Sequence, residues 1–186
     1  MGVSYCATCD GAFFKDKVVA VIGGGNIAAE DALFLSRICR KVYMVHRRDA
    51  LRADQILRDS LHTAENIEMI WNSTATEIQG TDCVTGLKLC SVKDLSESVI
   101  AVDGVFIAVG TIPDTEKFKG IVSVDENGYI IAGEDGITSA PGIFAAGDIR
   151  TKRLRQVVTA AADGANAVNS VLNWMQAAIS RERNEY

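Results

Sequence analysis

Cys6 and Cys9 stand three positions apart in Cys6-Ala7-Thr8-Cys9, and Asp10 follows at once. Cysteines at this spacing support two chemistries. They can alternate between dithiol and disulfide, with the thiolate favoured by nearby positive potential. They can also supply half of a tetrahedral zinc site, which then needs two more ligands at suitable spacing. Cys83 and Cys90 are seven positions apart, outside the usual C-x₂₋₄-C range, and His46 and His62 belong to no such pattern. The redox reading is the stronger, with zinc as the alternative. Under it, Asp10 can pass a proton to or from a departing thiolate. Cys39, Cys83 and Cys90 read as small packed apolar residues.

A second constellation lies at Gly23-Gly24-Gly25-Asn26-Ile27-Ala28, which matches G-x-G-x-x-G/A. The motif alone is weak. Here it follows a β-prone run (17–22) and opens a helical stretch (26–37), the context a dinucleotide-binding turn requires. Gly23 permits the tight turn, Gly25 lets backbone approach a pyrophosphate, and Ala28 allows helix and strand to pack closely. The helix N-terminus then faces the anion. A βα turn without ligand is the plainer alternative.

The next strand (41–45) ends in His46-Arg47-Arg48, with Arg52 shortly after. NAD-binding versions place an acid there to hold the ribose 2′-OH. Arginine instead offers permanently charged, planar donors suited to phosphate. Two charged hydrogen bonds of roughly 1.5–3 kcal/mol each favour NADP over NAD by on the order of 10²–10⁴-fold. Residues 37–58 hold seven basic side chains and two acids, in a chain of net charge −5. A basic island in an acidic protein suits a small anionic ligand, and the overall charge argues against nucleic acid.

These sites need a scaffold. The chain has 186 residues, 48% hydrophobic and 23% charged, which excludes global disorder. At this size roughly 70% of the unfolded surface can be buried. Residues 17–45 read as a βαβ unit and the start of a doubly wound sheet. A helix over 52–62 and a strand over 67–71 follow. Residues 75–79, 84–90 and 99–109 read as an inserted β-meander. The turn-rich stretch 110–115 is the candidate hinge, with the domain boundary after Pro113. Beyond it come short strands (121–124, 129–131, 142–146), a helix over 154–179 and a polar, frayed end over 181–186. The apolar runs fall short of the roughly 18–20 residues needed to span a bilayer. No secretory signal pattern opens the chain, and the cysteine count of five is odd. Together these favour the cytoplasm.

Five segments occur in order: Val3-Ser4-Tyr5-Cys6-Ala7-Thr8-Cys9-Asp10-Gly11, the Gly-Gly-Gly-Asn turn, His46-Arg47-Arg48-Asp49-Ala50-Leu51-Arg52-Ala53, Ala145-Ala146-Gly147-Asp148, and Arg155-Gln156 before an Ala/Gly-rich helix. Together they resemble the low-molecular-weight thioredoxin reductases, flavoproteins that use pyridine nucleotide; the flavoprotein subunit of alkyl hydroperoxide reductase shares much of the pattern. The resemblance covers nearly the whole chain. It implies an α/β protein: a Rossmann-like NADPH-binding domain with the inserted meander (1–113), then the C-terminal part of a second Rossmann-like, FAD-binding domain (114–186). It implies that NADPH reduces FAD, FAD reduces the Cys6–Cys9 disulfide, and the dithiol reduces thioredoxin. Cys9 is then the flavin-proximal sulfur, Cys6 attacks thioredoxin and Asp10 is the general acid. Arg47, Arg48 and Arg52 hold the 2′-phosphate, and Gly23, Gly25 and Asn26 line the pyrophosphate turn. Asp148 binds the FAD ribityl chain, while Arg155, Gln156 and Val157 line the isoalloxazine. Ile27 departs from the family's usual Ser or Thr, and Leu51 from an aromatic.

Family members carry a further FAD-binding βαβ unit with its own glycine fingerprint, and this sequence has one fingerprint. The expectation is therefore an incomplete FAD site: a chain that binds NADPH without turnover alone, and a homodimer in the longer form. Residues after 113 are expected to expose apolar surface and strand edges until they are covered.

Overall fold

The computed structural model describes residues 1–184. The chain divides into two compact units, Met1–Gly110 and Thr111–Tyr186.

The first unit runs β1 (Val3–Ser4), α1 (Ala7–Asp10), a 3-10 turn (Gly11–Phe14), β2 (Val18–Gly23), α2 (Asn26–Ser36), β3 (Lys41–Val45), α3 (Gln55–Thr63), β4 (Ile67–Ile70), β5 (Ser73–Gln79), β6 (Gly86–Ser91), β7 (Glu97–Ala101) and β8 (Gly104–Ala108). Five strands form a parallel sheet in the order β1-β8-β2-β3-β4, while β5, β6 and β7 form a separate antiparallel sheet. Strand order reverses between β2 and β8. In doubly wound sheets that reversal opens a crevice at the carboxyl ends of the strands, where ligands bind.

The uninterrupted apolar run of β2 reflects burial on both faces, as expected for a central parallel strand. Val19 and Val21 point into one core with Val42, Met44 and Phe106, beneath Ala28, Ala32 and Leu35 of α2. Ala20, Val45 and Val105 point the other way, into a core with Leu87 and Leu89 of β6 and with Val84 and Val102. The meander thus covers the face that a second helical layer would otherwise cover.

The expected strand over 99–109 is two strands. Val102 and Asp103 separate β7 from β8. The Asp103 N–H donates to the Val18 carbonyl at 2.7 Å, and its carboxylate accepts from the Val18 N–H at 2.8 Å. These bonds draw the chain from one sheet into the other. The helix expected from residue 52 begins at Gln55, after a loop tied elsewhere. Cys83 is exposed, not packed; Cys39 is buried and Cys90 half-buried.

The second unit contains α4 (Val157–Asn184) and two 3-10 turns, Glu116–Phe118 and Gly147–Ile149. The short strands expected there are single bridges, among them Val124 with Ile130, Ile130 with Arg150, and Ile137 with Phe144. Gly120, Gly128 and Gly142 have φ of 79°, 88° and 80° and interrupt extended chain between them. The core is small: Val122, Ile130, Ala132 and Ala145. Along α4, Val157, Val158, Val168 and Leu172 are exposed. The end expected to fray is helical through Asn184, and Glu185 and Tyr186 lie outside the described residues.

Candidate nucleotide and redox sites

The redox motif hangs from the edge of the parallel sheet. In β1, Ser4 pairs with Phe106 of β8, and the chain then enters α1 with Cys6 as its N-cap. Cys6 and Cys9 form a disulfide. The Cys9 N–H donates to Cys6 Sγ at 3.2 Å, a donor already in place for charge on that sulfur when the bond opens. Asp10 closes the helix, and its Oδ2 accepts from Ser4 Oγ at 2.7 Å. Below, Phe14 packs edge-on against Phe106 with ring centroids 5.2 Å apart. A Cβ on Gly104 would lie 2.2 Å from the Phe14 ring, so glycine is what admits the aromatic. This packing anchors the motif. Among the described residues, no three of His, Cys, Asp and Glu converge to hold a metal ion.

The glycine turn sits at the crevice. A Cβ on Gly23 would meet the Ala108 carbonyl at 2.3 Å and Ala28 Cβ at 2.7 Å, so the tight turn and the close helix both require glycine there. A Cβ on Gly24 would meet the His46 ring at 2.2 Å, whereas space around Gly25 is open. Gly25 caps α2 and Asn26 opens it. The first N–H groups of a helix have no partners within it, which leaves them for an anion.

The arginine loop is tied to this turn. The Arg52 N–H donates to the Gly24 carbonyl at 2.8 Å. Asn26 and Asp54 join side chain to side chain and side chain to backbone. Asn72, left-handed at φ 51°, links β4 to β5 and donates from its N–H to the Arg48 carbonyl, and the Ser73 N–H reaches the His46 carbonyl. A cleft of about 310 Å³ results, lined by Gly23, Gly24, His46, Arg47, Arg52 and Ser73 among others. Arg48 lies in the adjoining loop, and all three arginines are exposed.

His46 is only 7% exposed, stands edge-on to Trp71, and its Nε2 has no hydrogen-bond partner. Burial, then the charges of Arg48 and Arg52, hold its pKa below the ordinary value, so the ring is neutral at pH 7. Guanidinium groups and free amides at a helix start form a donor set that fits a phosphorylated dinucleotide.

The remaining sequence-derived residues lie in the second unit. Asp148 occupies the 3-10 turn after Gly147, which has φ 81°. The Asp148 carbonyl accepts from Arg155 Nε at 3.3 Å, and the Arg155 guanidinium stacks 3.9 Å from the Tyr129 ring centroid. The Gln156 N–H donates to Thr159 Oγ1 at 3.2 Å. Val157 opens α4 and is 88% exposed. Sequence reasoning missed Asp163, which is buried and accepts from Arg150, Lys152 and the Gly147 N–H. Its sequence signal is one acid within an Ala-rich helix, two turns after the Gly147-Asp148 segment returns to helix.

The pyridine nucleotide-disulphide oxidoreductase family matches residues 1–164. The chain belongs to that family. It is 51% identical over 176 residues to thioredoxin reductase from Listeria monocytogenes, covering 94% of this chain and 55% of that protein. It is 44% identical to thioredoxin reductase from Bacillus subtilis, covering 94% of this chain and 56% of that one. Among solved structures, thioredoxin reductase from Streptococcus pyogenes superposes with TM-score 0.89 at 45% identity, over 95% of this chain and 58% of that one. The enzyme from Giardia duodenalis gives 0.85 at 38% identity, over 94% and 58%. The chain therefore spans a little over half the length of these relatives. Their fold agrees with the α/β architecture found here. No helix among the described residues is long and apolar enough to cross a membrane.

Proposed function

We propose that the chain binds NADPH in the cleft of its first unit, and that Cys6 and Cys9 relay the electrons, by way of FAD, to thioredoxin or a thioredoxin-like protein. The observation that carries this reading is the convergence of Gly23, Gly24, His46, Arg47 and Arg52 on one cleft, in the same unit as the Cys6–Cys9 disulfide. Arg47, Arg48 and Arg52 hold the 2′-phosphate. Gly23, Gly25 and the start of α2 at Asn26 receive the pyrophosphate. FAD, when bound, supplies the step between a hydride donor and a disulfide. Asp148, Arg155, Gln156 and Val157 hold it from the second unit, so residues 1–113 serve the nucleotide and disulfide and 114–186 serve the flavin. Cys9 is the sulfur nearer the flavin, Cys6 the one that attacks thioredoxin, and Asp10 the proton donor and acceptor. The balance is NADPH, a proton and a disulfide giving NADP⁺ and a dithiol. The protein works as a homodimer in the cytoplasm.

Calorimetric titration tests the nucleotide site. Replacing Arg47 and Arg48 by Ala should lower NADPH affinity about a hundredfold while leaving NADH affinity nearly unchanged. Equal losses for both nucleotides refute the 2′-phosphate assignment. Visible flavin absorbance with NADPH-dependent disulfide reduction supports turnover. A colourless chain that retains NADPH is a binding module.

A further inference from the structure

Ser4 is buried, 4% exposed, and lies on a strand fixed to the sheet by pairing with Phe106. Its hydroxyl touches both ends of the redox motif. Oγ donates to Asp10 Oδ2 at 2.7 Å and lies 3.2 Å from the Cys6 carbonyl, and it accepts from the Cys6 N–H at 3.0 Å. The Asp10 N–H closes the loop by donating to the Cys6 carbonyl at 3.1 Å. A single hydroxyl therefore fixes the Asp10 carboxyl relative to the backbone that carries Cys6.

We infer that Ser4 is a positioning residue for proton transfer at the disulfide. The inference rests on the assignment of Asp10 as the proton donor. When an external thiolate attacks one sulfur, a mixed disulfide forms and the other sulfur leaves as thiolate. The Asp10 carboxyl gives that sulfur its proton and becomes a carboxylate, which the Ser4 O–H then stabilises. The second thiol of the external dithiol passes its proton to the Asp10 carboxylate and its sulfur resolves the mixed disulfide, while the sulfur released takes up the proton that the attacking thiol gave to solvent. The external dithiol is oxidised by two electrons and Cys6 and Cys9 are reduced by two.

The test needs no flavin. In the intact chain, free thiols are first blocked, the disulfide is reduced with dithiothreitol, and the Cys6 and Cys9 thiols formed are counted by alkylation and mass. Ser4→Ala should slow reduction about tenfold, the size of one lost hydrogen bond to a charged group. Ser4→Thr should restore the rate and Ser4→Val should not; this pair keeps the branched shape suited to a strand and differs by the hydroxyl. In an Asp10→Asn background, Ser4→Ala should have no further effect. An unchanged rate in Ser4→Ala or Ser4→Val, or an equal loss with Asn at position 10, overturns the role of Ser4 and leaves Asp10 standing. An unchanged rate in Asp10→Asn alone overturns the Asp10 assignment and the inference with it.

Discussion

Asn26 and Asp54 hold each other reciprocally: Asn26 Nδ2 donates to Asp54 Oδ2 at 2.8 Å, and the Asp54 N–H donates to Asn26 Oδ1 at 2.9 Å. One residue opens the helix after the glycine turn and the other ends the arginine loop. The acid inside the basic island therefore organises it. Asn26→Ala should weaken NADPH binding by about 1 kcal/mol, roughly fivefold, since the bonds are exposed and removal frees a loop rather than a charge. Calorimetry with 2′,5′-ADP, which keeps the 2′-phosphate, should show the same loss. No change there would separate Asn26 from the arginines.

Gly24→Ala should be damaging although its backbone is not in the left-handed region. The added Cβ meets three atoms of the His46 ring, 2.2 to 2.7 Å away. The ring is buried against Trp71, so relief comes from displacing it or the turn. Overpacking of this kind costs about 1–3 kcal/mol. A lowered melting temperature and loss of nucleotide binding are expected together, whereas Gly25→Ala, with open space, should melt near the parent.

Asp163→Ala should destabilise the second unit by about 3–5 kcal/mol, because Arg150 and Lys152 are left buried without an anion. The hydrogen bond and charge of Arg150 hold the Asp163 carboxyl far below the ordinary carboxylate range. A depressed folded value means stability that is present above the unfolded value and is lost as pH falls through the folded one. The contribution should thus be constant from pH 5 to 8. Urea unfolding followed by Trp174 fluorescence, in a Trp71→Phe background, measures it.

Asp31 has the opposite sign. Burial on α2, and Glu30 beside it, push its carboxyl up to about 6. A raised folded value means the contribution is full below the unfolded value, near 4, and is lost as pH rises through about 6. Asp31→Asn should therefore raise stability at pH 7–8 by on the order of 1–2 kcal/mol, and the gain should vanish below about pH 4. A gain that persists at pH 4 would point to a cause other than ionisation.

The glycine turn was legible as a fold element because its signals are local. An apolar run, three glycines and an alanine-rich helix occupy consecutive positions, and β2 and α2 fall within a residue or two of expectation. The split at Val102–Asp103 was not, because it depends on Asp103 meeting Val18, 85 residues away. Ser4, Asp54 and Asp163 were missed for the same reason. Each is an ordinary polar residue in sequence and acquires its role through a partner on another element. The second unit misled the strand reading because β-prone runs between glycines read alike whether or not a neighbouring strand exists.

One strand serves as a common ruler. Val105 of β8 sits opposite Val3 on one side and Ala20 on the other, and Ala108 sits opposite Gly23. The sulfur-bearing arm and the glycine turn are thereby indexed to the same few peptide groups. Sliding β8 by one residue would turn its side chains inside out and shift both sites together, so engineering that retargets either should leave this strand untouched.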